Sequence, residues 1–554
     1  MQLLHPLVER ILEKRPVADR ETFLHPSYTD RHDPFLMKDM DKAVERILRA
    51  IEAKETIAVW HDYDCDGIPA GALLHDFFES IQCPIRAHVP ERSDGYGLNI
   101  PGIEKLQSEG VTLIITVDCG ITDVEEVARA QNLGVDVIIT DHHLPQKKIP
   151  DAIAVVNAHQ SDDQYPFKEL CGTGVAFKLA EAILKRGEFS IKEGWEKWLL
   201  DLVALATVAD MVPLIGENRA LVHYGLKVMR MGKRPGLKAL FELEKIPWQK
   251  ATEDDIAFSI APKVNAASRM ASPKLAFELL TTKSFSRAQE IAKELGKLNK
   301  ARKVEGMRVA KEVKHRLEML PRIGEIIVLG NSTWRPSLLG IAATSVVDSY
   351  GKTVCLWGKD GGLIKGSCRS NGAVNIVDLM VQAKGAFQDF GGHEFSGGFS
   401  LTDEQVLHLE EELEKALAAL PPAPEKMKES ETYDGYLTIA EANEVAYVAL
   451  RDLAPFGEGN PKPVFRITNA RVDKFFRFGA GDEHARLVLS DDDGRTLDAI
   501  SFFISRQPYR DTLELLSAGD RIQVDGSIEQ SFFRGSRELR FRVEQMTFAN
   551  TAAV

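Results

Sequence analysis

The sequence predicts an α/β protein in which a parallel-sheet domain is joined by a long helix to a smaller α/β domain and followed by a β-barrel. Three observations predict it. Short β-branched runs alternate with helical stretches early in the chain, and a lysine-rich stretch from about 285 to 318 lacks any glycine–proline stop. Beyond about 455 the sequence breaks into short strands separated by Asp/Gly turns. At 554 residues the chain is too long for one core, so about two to four domains are expected.

The opening residues read as short amphipathic helices ending in DMDKAVERILRAI, where Ala43, Val44, Ile47, Leu48 and Ile51 recur at helical spacing. The period then changes. TIAVW (56–60), TLIITVD (112–118) and VDVIIT (135–140) are apolar runs closed by a carboxylate or glycine, with GALLHDFFESI and DVEEVARAQNLG between them. Strands alternating with helices at this spacing make βαβ units, hence a parallel sheet with helices on both faces. Ligands bind such sheets at the carboxyl ends of the strands. After the long helix, EIIVLG and TVCLWG begin a second α/β unit that runs to FGGHEFSGGFS; an acidic helix and the linker PPAP (421–424) follow. PVFRITNARV, ARLVLSDD, RTLDAISFFI, DRIQVDGSI and ELRFRVEQMTF then suggest a small barrel of the OB type. These signals divide the chain into a helical segment (1–50), a sheet domain (51–284), a connecting helix (285–320), a smaller α/β domain (321–420), a linker with a helix (421–454) and the barrel (455–549).

Several function classes drop out. No apolar run approaches the roughly 20 residues of a membrane span, and the start, with acidic as well as basic residues, does not read as a signal peptide. Cysteines 65, 83, 119, 171, 355 and 368 contain no CxxC pair. That argues against a zinc knuckle or a disulfide scaffold and suits a reducing cytoplasm. A net charge of −13 argues against simple coating of nucleic acid. Any such contact must use a local basic groove, or cations that invert the sign of an acidic pocket.

Four motifs at strand ends supply that pocket. HDYDCDG (61–67) places Asp62, Asp64 and Asp66 two apart, on one face if the segment is extended. A solvated turn would explain any one of these carboxylates, but three crowded together repel without cations. VDCG brings Asp118, TDHH (140–143) brings Asp141, His142 and His143, and VALATVADMVPL buries Asp210 in an apolar run. A strand-end Asp alone usually caps a helix, and a lone buried Asp often bonds to backbone; adjacent histidines beside an Asp have fewer structural excuses. An imidazole can hold a metal while an acceptor such as Asp141 orients its other nitrogen. Oxygen and nitrogen donors without thiolates suit Mn²⁺ or Mg²⁺ rather than zinc. Two such ions sharing a carboxylate activate water and stabilise the leaving oxygen of a phosphoryl displacement.

In this order, the four motifs resemble those of the DHH phosphoesterase superfamily. GSCRS (366–370) and FGGHEFSGG (390–398) resemble its companion DHHA1 domain, and PFGEGNPKPVF (455–465) resembles the lead-in to the OB-fold of its single-strand-specific exonucleases. The resemblance implies that Asp62, Asp64, Asp66, Asp118, His142 and Asp210 hold two divalent ions, Mn²⁺ or Mg²⁺. Asp118 would bridge them, His143 would face the scissile phosphate, and Asp118, His143 and Asp141 would form the catalytic set. It further implies a cytoplasmic 5′→3′ exonuclease that acts on single-stranded DNA, releases 5′-mononucleotides and serves DNA repair and recombination. A helicase or single-strand-binding protein is the implied partner class; oligomeric state is not legible. His61 stands where that family commonly has glycine, and Ser268 interrupts its NAAGR as NAASR.

Substrate contacts are expected from Arg92, Asn265 and Arg269, and from Ser367, Arg369, Gly391, Gly392 and His393, which by resemblance grip the strand's 5′ end. Arginine forks match phosphate, although a single arginine is more often a surface ion pair. In the barrel, KFFRF (474–478) and SFFRGSRELRFR (531–542) interleave Phe with Arg, the pattern of base stacking, or of a core with a charged exterior. Three rival readings remain, one of them a close variant, an archaeal-type replisome-associated nuclease. A small-substrate or oligonucleotide phosphodiesterase of the same superfamily is disfavoured by the barrel, and a non-catalytic replication scaffold by the complete carboxylate set.

Overall fold

The structure is a computed structural model that describes residues 4–15, 17–360, 362–421, 433–479, 481–533 and 536–549. It resolves into two compact units. One comprises residues 21–305 with 455–460; the other comprises 1–20, 306–454 and 461–554.

The first unit is built on five parallel strands in the order β2-β1-β3-β4-β5: β1 (Thr56–His61), β2 (Arg86–His88), β3 (Val111–Val117), β4 (Asp136–Thr140) and β5 (Ala154–Val156). Successive residues of β1 explain the layering. Ile57 and Val59 enter the core on one face, with Val44, Phe77 and Phe177, whereas Ala58 and Trp60 pack on the other with Ile103, Leu106 and Val127. Side chains two apart share a face, so unbroken apolar runs read as strands covered on both sides. Helices α1 (Met40–Glu52), α2 (Gly67–Ser80), α3 (Gly172–Arg186) and α4 (Leu200–Ala209) supply one of those cores. A buried ion cluster braces this layer: Arg234 binds Asp201 at 2.8 Å and Asp76 at 2.7 Å.

Before α5 (Ala261–Met270) a π-helical turn spans Ile256–Ile260. The expected long helix is α6 (Phe285–Glu318). Beyond it, β6 (Ile326–Gly330), β7 (Thr353–Asp360), β8 (Leu363–Arg369), β9 (Asp389–His393) and β10 (Ser396–Leu401) form a mixed sheet in the order β6-β7-β8-β10-β9. Helix α7 (Pro336–Tyr350) connects β6 to the parallel β7. Cys355 and Cys368 are direct partners in the β7–β8 ladder and are joined as a disulfide. Their spacing in sequence gave no sign of it, because the strand register sets the pairing.

The barrel strands are β11 (Gly435–Tyr436), β12 (Phe465–Phe478), β13 (His484–Ser490), β14 (Thr496–Ser501), β15 (Arg521–Phe533) and β16 (Ser536–Phe548), with β12 closing on β15. Helix Pro6–Lys14 belongs to this unit, and Arg15 pairs with Asp434 at 2.8 Å. In β12 the register shifts between Val472 and Lys474. Beyond it Phe476 and Phe478 are 52% and 39% exposed, so these two rings of KFFRF do not fill the core; Phe541 does. Most of the PPAP linker and the side chains of 532–537 lie outside the described residues. Among the described residues no helix is long and apolar enough to cross a membrane.

Candidate metal centre

The carboxyl ends of β1, β3 and β4 converge. His142 Nε2 lies 3.2 Å from Asp118, 3.6 Å from Asp66 and 3.8 Å from Asp210. Asp62, Asp64 and Asp118 form a second group whose oxygens lie within 4.8 Å of one another, and Asp118, His142 and His143 form a third. All six residues expected to hold metal thus meet in one place, and Asp118 is the residue that joins the His142 side of the cluster to Asp62 and Asp64.

The route to that meeting differs from the expectation for the fourth motif, where Asp210 follows the helix α4 and ends no strand, and for the first. Strand β1 stops at His61, and residues 62–66 turn into α2 instead of continuing as an extended run. Asp64 makes the turn, its Oδ1 accepting the N–H groups of Asp66 (2.8 Å) and Gly67 (3.2 Å). Asp66 is tied to α3: its two carboxylate oxygens accept from Gly172 N–H (2.6 Å) and Thr173 N–H (2.7 Å). A helix N-terminus favours an anion through its unpaired N–H groups. At Gly172 a Cβ would fall 2.5 Å from the Asp118 Cβ, so only glycine lets the helix approach this closely. Asp118 itself has φ +60°, a left-handed conformation rare outside glycine and tolerated best by Asp and Asn. Its N–H still bonds Thr140 O (3.1 Å), so the strain falls at the last rung of the β3–β4 ladder.

The electrostatics are those of a cation site. Burial, then the charges of Asp66, Asp64, Asp62 and Asp210, hold the Asp118 carboxyl well above the usual range. Burial and Asp64 do the same to Asp62. Asp210, desolvated and close to Asp66 and Asp64, is pushed up to about 8. Asp62 Oδ1 and Asp118 Oδ1 are buried without a hydrogen-bond donor. Buried oxygens without donors, in a set of carboxylates and one imidazole, fit hard divalent ions such as Mn²⁺ or Mg²⁺.

Asp141 orients the histidines. Its Oδ1 accepts the N–H groups of His142 (2.7 Å) and His143 (3.1 Å) and meets His143 Nδ1 at 2.8 Å, while Oδ2 accepts Ile121 N–H (3.0 Å). Burial pulls the His143 imidazole down, but the Asp141 bond and the surrounding carboxylates raise it to about 9. His142, more deeply buried, is lowered. His61 is buried and stacks on Phe277, and its imidazole falls to about 4, mainly through desolvation.

Sequence reasoning missed Tyr96. Its hydroxyl donates to Asp118 O (2.8 Å) and lies 3.1 Å from His143 Nδ1. Its loop is pinned by Asp123, which accepts Leu98 N–H at 2.6 Å. Two flanking glycines at positive φ, Gly95 and Gly97, were the available signal.

Of the expected substrate residues, Arg92 stacks its guanidinium 4.3 Å from the Tyr63 ring centroid, and Asn265 Oδ1 accepts Cys65 N–H at 3.0 Å, holding the metal loop. Ser268 does not interrupt its helix, and Arg269 lies in the last turn of α5. In the other unit the strand registers align Arg369 with Ser396 and His393, and Ser367 with Gly398 and Gly391. Residues directly opposite point the same way, so Ser367, Arg369 and His393 share one face, over a floor that Gly391 and Gly398 keep flat. Gly392 stands one step along, opposite Gly397. Arg369 donates to Ser367 Oγ (2.9 Å) and Cys368 O (2.7 Å). Gly340 of α7 crosses this pair: a Cβ there would sit 2.5 Å from Arg369 Nη2.

Comparison with known proteins settles the family. The chain is 31% identical over 571 residues to the single-stranded-DNA-specific exonuclease RecJ of Salmonella typhimurium, covering 98% of this chain and 96% of that one. The chain belongs to the RecJ family. A second RecJ, from Bacillus subtilis, is 35% identical over 90% of this chain, which spans 63% of that longer protein. The RecJ domain order is present: the DHH family N-terminal domain matches residues 56–207, the DHHA1 domain 324–421 and the RecJ OB domain 433–545. The crystal structure of RecJ in complex with Mn²⁺ from Thermus thermophilus superposes with a TM-score of 0.80 at 25% identity, covering 99% of this chain and 76% of that one.

Proposed function

We propose that this chain is a metal-dependent 5′→3′ exonuclease that hydrolyses single-stranded DNA to 5′-mononucleotides. The observation that carries the reading is the convergence of Asp66, Asp118, His142 and Asp210, from four separate segments, around one imidazole nitrogen. Two divalent ions held by these residues with Asp62 and Asp64 supply an activated water and charge stabilisation for the leaving oxygen. The chain's own groups do the rest. Asp141 fixes the tilt of His143, whose ring then faces a non-bridging oxygen of the scissile phosphate. Tyr96 braces the backbone of Asp118. Arg92 and Arg269, the two cations that act on Tyr63, bind the neighbouring phosphates, and Asn265 keeps the metal loop in place.

Water adds to phosphorus as the bond to O3′ of the first nucleotide breaks. O3′ leaves with a proton, and the shortened strand keeps a 5′-phosphate. That group is what Ser367, Arg369, His393 and the Gly391–Gly392 strand are suited to grip, so each turnover regenerates the recognised end. In this division residues 51–284 carry the chemistry, 321–420 the anion grip and 455–549 the stacking of unpaired bases on rings such as Phe476 and Phe478. The setting we propose is the cytoplasm, in DNA repair and recombination, on strands that a helicase exposes or a single-strand-binding protein covers.

The test uses strands labelled at either end, as DNA and as RNA, with Mn²⁺ or with chelator. A labelled 5′ end should appear at once as mononucleotide, a labelled 3′ end as a descending ladder, and neither with chelator. Asp118→Asn should abolish both signals; retained cleavage, or preference for a dinucleotide over a long strand, would remove the assignment.

A further inference from the structure

A cavity of about 500 Å³ opens in the first unit beside the metal centre, and no role assigned above uses it. Its walls come from the end of α4, the π-helical turn, the start of α5 and residues 456–458. Two of its residues are directly coupled to the metal loop. Met211 follows the ligand Asp210, and Asn265 holds the N–H of Cys65, which stands between Asp64 and Asp66. Whatever fills the cavity therefore touches residues that adjoin the metal ligands.

We propose that this cavity receives a nucleobase of the strand being cleaved, from a nucleotide adjoining the scissile phosphate; this rests on the nuclease reading of the metal centre. Its size is that of a small-molecule site, and Val208, Ala257, Pro262 and Phe456 give it largely apolar walls. Phe258 and Met211 stand at the rim, 71% and 72% exposed. An aromatic ring and a thioether held out in solvent are poor packing groups but good partners for a flat heterocycle. The charge balance disfavours the strand's other parts. Glu253 is buried, accepts Phe456 N–H at 3.1 Å and acts on Arg219, which leaves Asp254 and Glu458 beside one guanidinium, Arg302, so the lining offers a phosphate no excess of positive charge and suits an uncharged base. The π-helical turn is itself a rare geometry that recurs at functional sites, and here it carries Phe258. Apolar walls with a stacking ring read no particular base edge, so the pocket anchors any base without demanding a sequence.

The experiment scans one abasic nucleotide through the first positions of a 5′-phosphorylated strand, with wild type, Phe258→Ala and Phe258→Trp. Cleavage with Mn²⁺ and equilibrium binding in chelator are both measured. A single sensitive position should emerge, at which loss of the base raises KM and Kd of the wild type roughly tenfold. Phe258→Ala should show a similar rise on intact strands and no further rise on the sensitive abasic strand, with kcat and the metal-induced shift in Tm unchanged. Phe258→Trp should behave like wild type. Independent, additive effects of the variant and the abasic position would overturn the proposal. So would a flat scan, which would leave the rim to an apolar protein segment. Absence of turnover with intact base-dependent binding would count against the nuclease reading alone.

Discussion

Raising the pH of the metal-free protein from 6.5 to 8 should lower its stability, and the crowded carboxylates set the amount. Asp210 ionises near 8 in the folded chain against 3.8 when exposed, and Asp118 and Asp62 are raised in the same direction. Between those values the folded state holds protons that the unfolded chain has released, so stability falls as pH rises. The slope is about 1.4 kcal/mol per pH unit for each such carboxyl. At about 2–4 °C per kcal/mol for a unit of this size, the loss is readable as Tm. His143, raised to about 9, acts with the same sign: its stabilisation is complete below 6.5 and fades through 9. The histidines with lowered values, His61, His88, His142, His159 and His223, oppose the trend only below about 6.5, and Asp123, at about 6, steepens it only below that pH. Lys178, lowered to about 8, acts only above it. Differential scanning fluorimetry in chelator at half-unit steps would trace the slope. Asp210→Asn should flatten it, matching wild type at low pH and exceeding it at pH 8. Mn²⁺ must displace the same protons, so its stabilisation, about 2.7 kcal/mol at a hundredfold excess over Kd, should grow with pH. A Tm that is flat or rises between 6.5 and 8 in chelator, or an unaltered slope in Asp210→Asn, would refute the reasoning.

Other perturbations separate the parts. Asp141→Asn should lower activity or metal affinity by roughly 10–100-fold, as loss of an orienting partner does elsewhere, while titration calorimetry still detects the ions. Gly340→Ala should push Arg369 from its place and raise KM for 5′-phosphorylated strands about tenfold, as loss of a charge-assisted bond would, with kcat and Tm little changed. Arg234→Ala strands Asp201 as a buried charge, while Asp76 keeps Lys283 at 2.7 Å, and should cost about 3–5 kcal/mol in a denaturant titration.

What the sequence disclosed, and what it hid, follows from the range of the interactions. Asp118 and Asp141 were legible because an apolar β-branched run that ends in a carboxylate is a local pattern, and parallel strands bring such ends together. The geometry of 62–66 was misjudged: spacing by two suggested an extended run, but the Asp64 cap turns the chain into a helix. Tyr96, Gly172 and Gly340 act on residues far away in sequence, through a hydroxyl or through a missing Cβ, and no local period marks them. Arg369 and His393 of the second sheet were expected to act together only through resemblance, and the β8-β10-β9 register supplies the physical reason by putting them in one row. The barrel's phenylalanines were undecided between core and surface, and they divide: Phe541 is in the core, whereas Phe476 and Phe478, beyond the register shift in β12, are exposed.

The left-handed backbone at Asp118 bears on how this position is to be probed. Alanine there removes a ligand and also the short polar side chain that makes this torsion tolerable, so its phenotype mixes chemistry with misfolding. Asparagine tolerates the same torsion and keeps the side chain's outline, which makes it the cleaner reporter. In a saturation screen read out by protein abundance, asparagine and glycine should rank near wild type while the bulky and branched residues fall away. The same library sorted on DNA degradation should retain aspartate alone. The separation of those two rankings would measure how much of this residue's constraint is torsional and how much is catalytic.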